Sequence, residues 1–289
     1  MSRKGVKKMR LSGSRIAALA VLIIFAFFFF YPIYWILITS FKLPKDCFTL
    51  SFIPYLQFVP TLNNWTGQFQ ESGREIIKCL QNSLIVGLGA AALATALGVF
   101  GGYALARFRY RRWSNRDIII YFLSLRMLPP IAVAIPFYIL MAKLGLIDTQ
   151  LAIILAHAAF FLPYSVLVMR DSFRQLPPEL EEAALVDGCS IWQILTKVAL
   201  PLTAPSLAAV FILIFTFSWN EFLFAFILSS ENATTFPVFI AGSLHAAGVY
   251  YWVLSVRQLL AIGPPVVIGI LLQKWIVSGL TLGAVRGAR

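Results

Sequence analysis

Residues 177–205 read PPELEEAALVDGCSIWQILTKVALPLTAP and lie between two long apolar runs. The proline pair at 177–178 suits the start of a helix, because backbone N–H groups in the first turn have no intrahelical acceptor and proline lacks this group. Gly188 suits the left-handed residue that ends such a helix. Ser190 then predicts the N-cap of a second helix, with Gln193 completing a capping box. The stretch therefore predicts two short helices rather than a disordered loop.

The first of these helices, over about 178–187, has two distinct surfaces. Acidic residues occupy its first turns, where the helix dipole favours negative charge. Its residues 183–185 are small and apolar, which suits a helix that lies in a groove of another protein. A solvated linker is the alternative, but a linker is more often fully polar. The second helix must bend near Pro201 to enter the next apolar run.

The composition places this stretch in a membrane protein. Of the 289 residues, 60% are hydrophobic and 12% are charged, whereas a soluble domain has about 45–50% apolar and about 25% charged residues. The formal net charge of +12 would suggest nucleic acid in a soluble chain. Here the charges fall in loops between apolar runs, so they indicate membrane orientation and no nucleic-acid partner. No Cys or His cluster has the spacing of a metal site.

Six segments are long and apolar enough to cross a bilayer core about 30 Å thick. We predict an all-α membrane protein with transmembrane helices at about 16–40, 82–106, 118–142, 151–169, 206–229 and 256–280. A basic N-terminus (1–15) precedes the first span, which reads as an uncleaved anchor. The long loop is 170–205, and a tail (281–289) ends the chain. Lys and Arg concentrate at both termini and in the even-numbered connections, which predicts cytoplasmic termini.

Several spans differ from simple anchors. The second is rich in Gly and Ala, which let helix backbones approach closely inside a bundle. Pro129 and Pro130 interrupt the third span, and Gly263 with the prolines at 264–265 interrupts the sixth. Broken helices are tolerated against protein or a water-filled cavity, which suggests a pathway. A simple kink is the alternative for each of them.

Two sequence signatures resemble a known family. EAALVDG at 182–188, followed at a fixed distance by LPLTAP at 200–205, resembles the EAA loop of permease subunits of bacterial ATP-binding-cassette (ABC) importers. SWNEF at 218–222 resembles the signature of carbohydrate permeases, in particular the six-span subunit of the maltose and glycerol-phosphate type. YPIYWILITSF at 31–41 and GLTLGAVRG at 279–287 agree, so the resemblance covers nearly the whole chain.

The resemblance implies a type I ABC importer permease bundle in the bacterial inner membrane. Such a subunit moves a carbohydrate or a sugar or polyol derivative that an extracytoplasmic binding protein delivers. It works with a second homologous permease and an ATPase homodimer, surrounded by membrane lipids. The sequence lacks G-x-x-x-x-G-K-[ST], so ATP and Mg belong to the partner ATPase and this chain is no enzyme. An ion-coupled secondary transporter is the alternative, which would not need the 170–205 loop.

The resemblance also implies roles for particular residues. The EAA loop is similar to a cytoplasmic coupling helix that sits in a cleft of the ATPase, with Glu182 for a charged contact and Gly188 for the backbone turn. The outer loop between the fifth and sixth spans is similar to a scoop that enters the binding protein, near AGSLHAAG at 241–248, although interfacial aromatics there also suit a membrane belt. The ATPase-coupling set is Glu182, Ala183, Ala184, Asp187 and Gly188, and the binding-protein set is Ala241, Gly242, Ser243, Leu244 and His245.

The third span contains a charge that the family does not call for. Arg126 lies nine residues after Asp117, which at about 1.5 Å per residue is roughly 13 Å into a core about 30 Å thick. A guanidinium there costs at least about 2.5–3.5 kcal/mol, so it should face the bundle interior with a partner. Glu221 is the nearest candidate, and an anionic cargo would be a functional reason. The predicted translocation pathway comprises Arg126, Pro129, Pro130, Asn220 and Glu221.

The remaining reactive side chains give weak signals. His157 in the fourth span and His245 in the outer loop are isolated in the sequence, so structural roles are expected. Cys47 and Cys79 fall on the same predicted outer side, where they either pair or stay as thiols. No combination of these residues has the pattern of a catalytic site.

Overall fold

The structure is a computed structural model that describes the backbone of residues 13–245 and 248–284 and the side chains of 17–243 and 249–273. Most of the basic N-terminus and residues 285–289 of the predicted tail therefore lie outside the described residues. The helices are α1 (Gly13–Ser40), α2 (Asn63–Arg107), α3 (Asn115–Leu125), α4 (Pro130–Lys143), α5 (Gln150–Arg174), α6 (Pro178–Val186), α7 (Ile191–Ile194), α8 (Leu200–Leu202), α9 (Ala204–Asn220), α10 (Leu223–Leu228), α11 (Phe236–Ala241) and α12 (Tyr251–Ala284). A 3₁₀ helix covers Pro44–Phe48, a π-helix covers Leu195–Ala199, and two short strands, β1 (Leu244–His245) and β2 (Gly248–Val249), pair with each other.

The protein is an all-helical membrane protein apart from this small ribbon. Four described helices, α1, α2, α5 and α12, are long and apolar enough to cross a membrane. Two bent pairs raise the count to six if each is one span: α3 with α4 at 92°, and residues 191–202 with α9 at 79°. The α2 helix begins well before the predicted span, at Asn63, and is kinked at Ser72.

The breaks in the helices follow the predicted pattern only in part. The third apolar segment stops at Leu125 and restarts at Pro130, where proline has no N–H to offer the preceding turn. The predicted interruption of the sixth segment is wrong, because α12 continues through Pro264 and Pro265. A proline inside a long helix removes a donor and can bend the helix without ending it.

Chain contacts divide the molecule into two compact units. The larger one covers residues 72–245 and those from 260 onward. Its main core joins α2, α5, the π-helix and α9, with buried Tyr103, Met169, Leu195 and Phe215 among its members. This core forms because the glycines of α2 admit α5 closely. A Cβ on Gly102 would lie 2.7 Å from the backbone nitrogen of Arg170, and the predicted close packing of the second span is confirmed.

The smaller unit contains the part of the chain before residue 72 and residues 248–259. Its interior is built around Lys42, whose side chain is fully buried. The ammonium lies 4.2 Å from the ring centre of Trp35 and 5.2 Å from that of Phe58, which replaces part of its hydration by contact with the π faces. Desolvation lowers the pKa of Lys42. Asn64 closes the turn by donating to the carbonyls of residues 40 and 42.

Candidate coupling and translocation sites

Residues 177–202, here called the coupling arm, form the two predicted helices. The α6 helix starts after Pro177 and has Asp187 as its C-cap, and Gly188 has a φ of +83°, which is the predicted left-handed conformation. The capping box of Ser190 and Gln193 is present, with both reciprocal hydrogen bonds. The chain then passes through the π-helix and α8 before it bends into α9.

The predicted coupling residues lie on the outer surface of the arm. Glu182, Ala183, Asp187 and Gly188 are exposed, and Ala184 is half-buried. Val186 beside them is 88% exposed, so this face of the arm is partly apolar. Nothing lies within 4 Å of where a Cβ on Gly188 would be, so the requirement for glycine there comes from its φ alone.

The neighbouring glutamate, Glu181, contacts α2 and was not among the residues predicted from the sequence. Glu181 is 7% exposed. Its carboxylate accepts a hydrogen bond from the Tyr103 hydroxyl at 3.0 Å and from Arg107 Nη2 at 2.8 Å, and Arg107 also donates to the Leu176 carbonyl at 3.4 Å. This cluster ties the arm to the end of α2. A signal existed, because residues 103 and 107 are spaced to share one helix face.

The fifth segment breaks at Glu221, inside the SWNEF signature. The α9 helix ends at Asn220, and the Glu221 carboxylate accepts from the backbone N–H groups of Phe224 at 3.0 Å and Ala225 at 3.2 Å, which caps α10. His157 of α5 contacts the same carboxylate through Nε2 at 2.9 Å. The other ring nitrogen of His157 lies 2.7 Å from the Ser218 hydroxyl. The break is therefore fixed to α5 by side chains.

Two expectations from the sequence are corrected by this arrangement. Glu221 pairs with His157 and not with Arg126. Arg126 ends α3, and its guanidinium lies on the Tyr164 ring, 3.6 Å from the ring centre. Its side chain is exposed in this chain, and the chain bends by 92° just after it.

The other predicted pathway residues flank the two breaks. Pro129 and Pro130 begin α4, and the exposed Asn220 donates from Nδ2 to the Thr216 carbonyl at 2.8 Å. Three aromatic rings fill the space between Arg126 and His157: Phe161, Tyr164 and Phe217 contact one another at ring distances of 5.4 to 6.5 Å. Arg126 and His157, the partner of Glu221, therefore contact the same aromatic cluster from different rings.

The predicted contact region for a binding protein follows α11. Ala241 ends this helix, Gly242 and Ser243 come after it, and Leu244 and His245 form β1. The side chains of Leu244 and His245 and all of residues 246–247 lie outside the described residues. Among the described residues, no group of three potential ligands could hold a metal ion.

A polar clamp that the sequence did not reveal holds the segment before α11. The Asp148 carboxylate accepts hydrogen bonds from the consecutive backbone N–H groups of residues 230–233 at 2.9 to 3.2 Å. Burial raises the pKa of Asp148, but these N–H groups outweigh it and hold the pKa well below its usual range. Asn82 donates to the carbonyls of Asn232 and Thr234, so α2 contacts the same segment.

Comparison with known proteins gives a consistent result. Residues 94–282 match the family described as binding-protein-dependent transport system inner membrane component. The trehalose/maltose transport system permease protein MalG of Thermococcus litoralis is 31% identical over 275 residues, covering 94% of this chain and 97% of the relative. The sulfoquinovosyl glycerol transport system permease protein SmoH of Agrobacterium fabrum is 32% identical over 260 residues, covering 89% of each chain.

The fold is shared with a solved transporter. A chain of a bacterial ABC transporter involved in the import of the acidic polysaccharide alginate superposes with a TM-score of 0.74 at 22% identity. The superposition covers 90% of this chain and 95% of that one.

Proposed function

The chain belongs to the family of binding-protein-dependent transport system inner membrane components, and from that premise we propose that it moves a carbohydrate or a sugar or polyol derivative through a pathway beside the breaks at 126–130 and 220–222. It is a sugar ABC transporter permease component, and ATP hydrolysis takes place on a separate ATPase subunit. Neither the fold nor the relatives support the ion-coupled alternative.

The observation that carries the proposal is the form of the coupling arm. Its exposed face presents Glu182, Ala183 and Val186, while its inner face is fixed to α2 through Glu181. A rigid helix pair with an open surface can transmit movement of a docked protein into the bundle. The occupant we propose is a homodimeric ATPase that carries ATP and Mg. A second homologous permease and an extracytoplasmic binding protein complete the importer, with the binding protein near residues 241–245.

The coupling role can be tested by charge reversal. Glu182→Lys and, separately, Gly188→Pro should leave the protein inserted but abolish the stimulation of ATPase activity by loaded binding protein. Glu75→Lys is the matched control, because Glu75 is also exposed and lies on α2 far along the chain from Tyr103 and Arg107, which hold the arm. ATPase activity and uptake are both measured on the reconstituted complex. Normal stimulation in the Glu182→Lys complex contradicts the coupling role. Uptake that persists with a catalytically dead ATPase contradicts the importer.

We further propose that the cargo carries a negative charge. The guanidinium carbon of Arg126 lies over the Tyr164 ring, 3.6 Å from its centre, and the N–H groups of a guanidinium are suited to binding an anion. No hydrogen bond from this guanidinium to any of the described residues is present. The names of the relatives include both a sulfo-sugar derivative and trehalose/maltose, so the proposal depends on Arg126 itself.

Arg126→Gln tests the charge of the cargo. It should reduce uptake of an anionic sugar derivative by about tenfold or more, since hydrogen bonds to charged groups are the strong class. Tyr164→Phe is the matched control, because it keeps the ring under the guanidinium. A cargo that proves neutral, or unchanged uptake of an anionic one by the Gln variant, contradicts this part of the proposal while leaving the importer assignment intact.

A further inference from the structure

A cavity of about 780 Å³ lies beside the coupling arm, where the ends of α2 and α5 meet the α2–α3 connection. This volume is in the range of small-molecule sites, about 300–1,000 Å³. Its charged lining consists of four arginines and two glutamates: Arg107, Arg109, Arg170, Arg174, Glu181 and Glu182. The lining is therefore net positive, unlike the neutral aromatic cluster beside Arg126.

The acidic groups nearby leave much of this positive charge uncompensated. Glu181 is already engaged by Tyr103 and Arg107. Arg170 contacts Asp171 at 2.7 Å, but the Asp171 side chain is 62% exposed, and such surface pairs contribute little. The buried Nε atoms of Arg107 and Arg170 have no hydrogen-bond partner among the described residues. Two of the four guanidiniums thus keep an unfilled donor.

The other two arginines are open to a ligand. Arg109 and Arg174 are exposed, and neither forms an ion pair with any residue that the structure describes. Guanidinium groups match phosphate with two parallel hydrogen bonds. Trp113 on the same connection is 57% exposed, and Tyr110 lines the cavity; such aromatics lie at the level of lipid headgroups. Basic pockets on the cytoplasmic side of membrane proteins bind the phosphate-bearing headgroups of lipids.

We propose that this cavity binds a phosphate-bearing anion through Arg109 and Arg174. The phosphate comes from the headgroup of an anionic phospholipid or from a soluble phosphate. In either case the bound anion would bridge the α2–α3 connection and the end of α5 next to the coupling arm. Occupancy would stabilise the docked arm, so that membrane composition or a soluble phosphate regulates coupling. Binding of this anion requires neither the cargo nor transport.

The test compares two double variants of the complete importer complex. Arg109→Gln with Arg174→Gln removes two charges from the cavity, and Arg111→Gln with Arg112→Gln removes two charges from the same basic region outside it. The first assay uses native mass spectrometry to count the phosphatidylglycerol molecules that the complex retains after detergent purification, with phosphatidylcholine as the reference lipid. The second assay titrates inorganic phosphate by calorimetry into the complex in phosphatidylcholine nanodiscs. The single variants are measured as well, in case the cavity pair impairs assembly.

The cavity variant should weaken binding in one of the two assays by about tenfold or more, and the control variant should weaken it by less than about threefold. The assay that responds identifies the source of the phosphate. Equal losses in both double variants would show a general charge effect and overturn the proposal, as would a wild-type complex that binds neither phosphatidylglycerol nor inorganic phosphate. A last outcome would also overturn the proposal: the docked ATPase alone, in neutral lipid without phosphate, protects Arg109 and Arg174 from an arginine-specific label. An acidic protein surface would then fill the cavity.

Discussion

Glu181 and Glu182 are adjacent in the sequence, yet the structure gives them different tasks, and this difference can be measured. Successive helix residues point about 100° apart, so only one of the pair can face α2. Glu181→Gln keeps the side-chain volume and one acceptor for the Tyr103 hydroxyl but removes the charge opposite Arg107. We expect this variant to loosen the coupling arm from α2, whereas Glu182→Gln should leave it docked.

The size of the effect follows from burial and distance. The side chains of Arg107 and Glu181 are 17% and 10% exposed, and their contact is 2.8 Å. Removing one partner of a buried pair costs about 3–5 kcal/mol. Arg107 retains its bond to the Leu176 carbonyl and some contact with water, so the lower value, about 3 kcal/mol, applies. Since about 1.4 kcal/mol is tenfold, the undocked arm should become about a hundredfold more populated.

Hydrogen exchange of the reconstituted complex measures that population. Amides of α6 that exchange through undocking should exchange about a hundredfold faster in Glu181→Gln than in the wild type. In Glu182→Gln their exchange rates should rise by no more than about threefold, as expected for a substitution at an exposed position. Stimulation of ATPase activity should fall in both variants. Glu181→Gln weakens the attachment of the arm to α2, and Glu182→Gln loses the proposed charged contact with the ATPase. Equal exchange rates in the two variants would refute the assignment of Glu181 as the anchor.

Three further outcomes follow from the packing and the hydrogen bonds. His157→Phe should lower the thermal unfolding temperature of the purified complex, since it leaves Glu221 without its side-chain donor at a cost of about 1–3 kcal/mol; an unchanged temperature contradicts the role of this pair. Gly102→Ala should impair assembly, because a Cβ there would lie 2.7 Å from backbone, whereas Gly269→Ala on α12 meets nothing within 4 Å and should assemble normally. The pKa of Asp148 is depressed in the folded protein, so its carboxylate stabilises the fold above the usual Asp pKa of about 3.9 and loses this effect as the pH falls below it; Asp148→Asn should therefore flatten the loss of thermal stability between about pH 5 and pH 3, and an unaltered pH profile contradicts the clamp.

Local features of the fold were readable from the sequence because local chemistry determines them. The proline pair, Gly188 and the Ser190 capping box predict the two helices of the coupling arm, since each acts within a few residues of its position. The glycines of the second span predict close packing for a similar reason: a residue without a Cβ permits it wherever the partner lies. The partner helix α5, however, was not identified in advance.

Pairings between distant residues could not be predicted in this way. Tyr103 and Glu181 are separated by 78 positions, and His157 and Glu221 by 64. A histidine in an apolar run has the same local pattern whether it fills space or binds a carboxylate on another helix. Glu221 could be recognised as unusual, since a charge inside an apolar segment needs a partner. The identity of that partner depends on how the helices are arranged.

The error at Arg126 has a more specific cause. The predicted pairing with Glu221 compares positions along two straight helices that each rise about 1.5 Å per residue along the membrane normal. The chain instead bends by 92° between α3 and α4, so Arg126 lies at the end of an 11-residue helix. A residue at a bend can reach a neighbouring element, and Arg126 reaches the Tyr164 ring on α5. The double proline that follows was the sign of this bend. In a span interrupted by proline, the partner of a charge beside the break is therefore set by the direction that the chain takes at the break, and not by matching distances along two straight helices.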